Sequence, residues 1–79
     1  MQNRQTISLY EAEKRKAYQV ASVPDIPLLE NMGLRPGANI AVQNRYALGG
    51  PALVRVEGAY DLALGKDIAK QIAVKEVVA

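Results

Sequence analysis

The stretch GLRPGANIAVQNRYALGGP, residues 33–51, constrains the fold more than any other part of the chain. Arg35-Pro36-Gly37-Ala38 places proline where a type II turn needs φ near −65° and glycine where it needs φ above zero. Gly33 follows an apolar run, at the position where a helix most often stops. After the turn, Ile40 and Val42 alternate with Ala41 and Gln43, the period of a strand with one buried face. Leu48-Gly49-Gly50-Pro51 interrupts that period. It resumes in Ala52–Glu57, with Val54 and Val56 on one face and Arg55 and Glu57 on the other. Two such runs around a Gly-Gly turn predict a β-hairpin.

The flanking segments are short and punctuated by glycine or proline. Residues 1–6 show no periodicity and read as a loose end, with one domain expected over 7–79. Ile7-Ser8-Leu9-Tyr10 offers a brief apolar contact, and the charged run from Glu11 to Lys16 reads as a solvated turn or a single helical turn rather than a site. Ala17–Val23 predicts a strand with Tyr18 and Val20 on one face, ended by Pro24. Asp25 is placed to cap a short helix carrying Leu28, Leu29 and Met32. Beyond Gly58, Ala59–Leu64 predicts a strand with Tyr60, Leu62 and Leu64 on one face. Gly65-Lys66-Asp67 opens a second short helix with Ile68, Ala69 and Ile72 inward, and Ala73–Val78 predicts a last strand. Five short strands are too few for two full sheets, so the pattern favours a mainly β, small five-stranded barrel with one or two short helices, which would also leave no free edge.

The chain has 79 residues, and one of this size buries only roughly 60% of its unfolded surface, so its core is small. Cysteine and histidine are both absent. Their absence removes disulfides, thiolate zinc sites, the usual general base and the favoured transition-metal ligands. No catalytic residues, metal site or cofactor are therefore expected. Ten Lys and Arg against eight Asp and Glu are scattered along the chain. A nucleic-acid binder would show a denser basic face with interleaved aromatics, and no partner of that kind is expected. With neither a leader-like segment nor an apolar run of about 18 residues, the chain reads as cytosolic and not membrane-inserted.

In their order and spacing, Leu28, Leu29, Met32-Gly33-Leu34, Pro36-Gly37, Ile40, Val42, Ala47-Leu48-Gly49-Gly50-Pro51, Val54 and Val56 resemble the ferrous iron transport protein A family, FeoA. The likeness continues through Gly58, Leu62-Ala63-Leu64, Ala69, Ile72 and Val74. It implies an SH3-like barrel acting as a small cytoplasmic accessory of the membrane transporter FeoB, by protein contact and without catalysis. The transporter's cytoplasmic guanine-nucleotide-binding domain is the docking surface this suggests. A similar barrel forms the C-terminal domain of iron-dependent transcriptional repressors, so a stand-alone domain of that descent, binding a protein or peptide, is the alternative.

The candidate partner-binding residues are Leu28, Leu29, Tyr46, Leu48, Gly49, Gly50 and Pro51. Leu48–Pro51 forms a compact apolar turn, and rigid apolar tips lose little ordering entropy on binding. Tyr46 stands where the strand enters that turn. Adjacent leucines on a helix point roughly 100° apart, so one of Leu28 and Leu29 is expected to face solvent and to supplement the tip. Gly49-Gly50 lacks the helix with Lys and Ser or Thr that a phosphate loop needs. Asp61 and Asp67 straddle a turn with no third ligand spaced to help them bind a metal. The residues fix no oligomeric state.

Overall fold

The computed structural model describes residues 5–77. Of the expected loose end, residues 1–4 fall outside that range, as does Val78, while Gln5 and Thr6 are exposed and belong to no element. Six strands form one antiparallel sheet: β1 (Ile7–Ser8), β2 (Tyr18–Ser22), β3 (Asn39–Arg45), β4 (Ala52–Val56), β5 (Tyr60–Leu64) and β6 (Ala73–Glu76). They lie in the order β1-β6-β2-β3-β4-β5. A single 3-10 turn, Leu9–Glu11, follows β1, and two short helices, α1 (Pro27–Asn31) and α2 (Lys66–Ala69), complete the elements.

The sheet is open, which corrects the expected five-stranded barrel. No pairing joins β1 to β5 among the described residues. The additional strand is β1, too short to show any period, and it lines up Ile7 with Val74 and Ser8 with Ala73. In place of closure, register shifts curve the sheet, one between Val20 and Ser22 against β6 and another between Val42 and Asn44 against β4. Leu9, Leu29, Leu34, Ala69 and Ile72, all outside the strands, join Tyr18, Val20, Ile40, Val42, Val54, Val56 and Val74 in one buried cluster. The core is thus completed by turns and helices covering a bent sheet.

The alternation read from the central strands holds in every case. Tyr18, Val20, Ile40, Val42, Val54 and Val56 are all buried. In β5 only Leu64 is buried; Leu62 is half-buried and Tyr60 is exposed, its hydroxyl donating to the Met32 carbonyl. Asp25 does not cap α1. The cap position is Ile26, whose side chain offers no acceptor, and Pro27 begins the helix. The run after the 3-10 turn is only partly solvated. Ala12 is fully buried, Lys14 bridges to Val42 in parallel, and the Arg15 N–H donates to the Val42 carbonyl at 3.0 Å.

Both turn glycines preceding β3 adopt left-handed conformations, Gly33 at φ 89° and Gly37 at φ 95°. A Cβ on Gly37 would meet nothing within 4 Å, whereas one on Gly33 would fall 2.5 Å from the Tyr60 hydroxyl oxygen and 3.3 Å from Val56 Cγ1. Gly37→Ala therefore isolates backbone strain, about 1 kcal/mol, while Gly33→Ala adds a collision and should destabilise by about 2 kcal/mol or more. Urea denaturation of the two variants checks the order.

Candidate functional site

The β3–β4 connection, residues 46–51, projects from one end of the sheet. The Tyr46 N–H donates to the Pro51 carbonyl at 3.0 Å, and the Gly50 N–H to the Ala47 carbonyl at 3.2 Å, so the loop is braced from within. At its apex Leu48 and Gly49 are both left-handed, at φ 62° and 75°. Glycine adopts this conformation freely; leucine does so at a cost of about 1–2 kcal/mol. Leu48 recovers none of that through packing, because its side chain is completely exposed. The Gly50-to-Ala47 bond closes Leu48-Gly49 as a two-residue hairpin turn with both central residues left-handed, so the turn demands φ above zero at Leu48. It does not demand a leucine there, and strained side chains of this kind gather at binding sites.

Two residues from distant elements buttress the loop. Tyr10, in the 3-10 turn, donates its hydroxyl hydrogen to the Gly50 carbonyl at 2.9 Å. Lys66, which opens α2, holds its Nζ 5.7 Å from the centre of the Tyr10 ring, close enough for a cation–π contact. A Cβ on Gly49 would lie 3.8 Å from Lys66 Cδ, so the lysine stem runs beside the apex. Tyr46, 49% exposed, completes a surface of leucine, tyrosine and one ammonium. Neither Tyr10 nor Lys66 was among the candidates read from the sequence. Tyr10 meets Gly50 across forty positions, and no local spacing signals such a contact.

The two α1 candidates lie elsewhere. Leu29 is 3% exposed and belongs to the core, whereas Leu28 is 61% exposed. Leu28 does not supplement the tip. The segment leaving α1 packs through Gly33 against Val56 and Tyr60, at the far end of the ladder that runs from Ile40↔Val56 to Arg45↔Ala52. At about 3.3 Å per residue, the two ends of β4 alone stand roughly 13 Å apart. Gly50 is half-buried behind the apex and Pro51 is exposed.

Among the described residues no three His, Cys, Asp or Glu side chains gather to hold a metal ion. Asp61 is instead engaged by Arg55, whose Nε and Nη2 donate at 2.8 and 3.2 Å. The hydrogen bond from the guanidinium, aided by its charge, holds the Asp61 carboxyl below its ordinary pKa. Since the folded value is the depressed one, the pair's contribution is present above the unfolded carboxylate pKa and fades as pH falls through the folded one. No helix among the described residues is long and apolar enough to cross a membrane.

The described residues thus give a small bent sheet with a buttressed, exposed apolar turn at the β3–β4 connection. Residues 7–76 match the family model of the FeoA domain, and the chain belongs to that family. Domains of this family are accessory modules partnering the ferrous iron transporter FeoB, and the chain is one of these. A crystal structure of an iron uptake regulatory protein, FeoA, is 28% identical, with a TM-score of 0.80 over 92% of this chain and 99% of that one. The FeoA-like protein of Clostridium acetobutylicum is 26% identical, with a TM-score of 0.78 over 99% and 93%. A manganese-dependent transcriptional repressor, at 18% identity and a TM-score of 0.82, shares the fold; the match covers 98% of this chain and 45% of the repressor. No curated protein matches the chain.

Proposed function

We propose that the chain, as one domain from residue 7 onward, acts in the cytoplasm by docking the 46–51 turn onto the cytoplasmic guanine-nucleotide-binding domain of FeoB. The observation that carries this reading is Leu48: left-handed, completely exposed and held on a loop braced by Tyr10. An apolar side chain presented on a pre-ordered loop loses little entropy when it enters a pocket, and contacts of that kind dominate protein interfaces. Tyr46 extends the apolar contact, and the Lys66 ammonium beside Gly49 favours a carboxylate on the facing surface. Gly49, Gly50 and Pro51 hold the shape, while Leu48 and Tyr46 supply the contact. The reading as a stand-alone relative of repressor domains rests on likeness of fold and gains no support from this site.

Calorimetric titration of the chain into the isolated cytoplasmic domain of FeoB tests the proposal. Saturable one-to-one binding is expected. Absence of binding both with and without guanine nucleotide would overturn it.

A further inference from the structure

We propose that the outer edge of β5 pairs antiparallel with β5 of a second copy of this chain, about a two-fold axis through Leu62. Among the described residues no strand occupies this edge. Tyr60–Leu64 pairs with β4 in five consecutive positions, and no backbone hydrogen bond outside that ladder involves these residues among those described. Proteins usually blunt such an edge with lysine, proline, a bulge or a very short strand. The opposite edge obeys that rule, since β1 has two residues. β5 does not: its sequence is YDLAL and its register against β4 is unbroken.

The occupant follows from the strand's own symmetry. Turned about Leu62, β5 sets Tyr60 opposite Leu64, Asp61 opposite Ala63 and Leu62 opposite itself. The one charge in the strand meets a methyl group rather than its own copy, and it already carries a partner in Arg55 at 2.8 Å. Aromatic–aliphatic pairs across strands are favourable, and Leu62, half-buried in one copy, gains cover from the other. The two open sheets then become one continuous sheet of twelve strands. A single pair of five-residue strands buries less than a standard protein interface, so the dimer is weak and forms at high local concentration.

Sedimentation velocity and amide NMR of the full chain from micromolar to millimolar concentration test this, with two variants at exposed Ala63. Ala63→Asp sets like charges against Asp61 of the partner twice per dimer, and Ala63→Lys sets opposite charges there. The dimer dissociation constant should rise in the first and fall in the second, by roughly three- to tenfold each. The concentration-dependent amide shifts should centre on residues 60–64. A native-like spectrum at low concentration establishes that each variant is folded. A chain that stays monomeric at millimolar concentration, or a dimer indifferent to both substitutions, overturns the proposal.

Discussion

Val54→Asp leaves the chain unfolded. Val54 is fully buried at the middle of β4, opposite Val42 on one side and Leu62 on the other. No cation lies within the buried cluster to receive a carboxylate, because all its members are hydrophobic. Burying an unpaired charge, or neutralising it and leaving a hydroxyl without a partner, exceeds the roughly 3–5 kcal/mol that a core of this size supplies. The amide spectrum should collapse to the narrow dispersion of a disordered chain. Val54→Ala serves as the control: it removes two methyl groups without adding a polar one, and should destabilise by about 2 kcal/mol while preserving the native spectrum.

Leu48→Asp has the opposite profile, a fold intact and a partner lost. Aspartate tolerates the left-handed conformation better than leucine does. Leu48 gives up no packing when replaced. The variant should therefore melt at the parent's temperature or slightly above it. Affinity for the transporter's cytoplasmic domain should fall by about tenfold or more, as it does when an apolar anchor at the centre of an interface is replaced. Thermal unfolding and a binding titration read the two effects separately. A stabilised variant with weakened binding is the signature of a residue held in strain for a partner.

Much of the framework could be read from the residues because each central strand states its own period. Tyr18 and Val20, Ile40 and Val42, and Val54 and Val56 alternate with residues that are not fully buried, and burial follows. The turns at Gly33 and Gly37 are equally local, since φ above zero is a property of one residue. What depends on distant partners was not legible. β1 spans two residues and exists only because β6 lies beside it. Leu9 is wholly buried by neighbours that its own surroundings do not announce. Closure of the sheet depends on whether its first and last strands meet, which a count of strands does not decide. The candidate site divides in the same way: Leu48 and Tyr46 stand in the turn itself, whereas Tyr10 and Lys66 reach the turn only through tertiary structure. Leu28 and Leu29 were distinguishable only once α1 was docked, burying one and exposing the other.

The central claim is that the 46–51 turn, and not α1, meets the transporter. Amide chemical-shift mapping of the isotope-labelled chain, titrated with the unlabelled cytoplasmic domain of FeoB, tests it most directly. The account predicts that the largest changes fall on Tyr10, residues 46–50 and Lys66, with the surroundings of Leu28 undisturbed and the whole pattern absent in Leu48→Asp. Changes concentrated on residues 23–36, at the α1 end of the sheet, would contradict it.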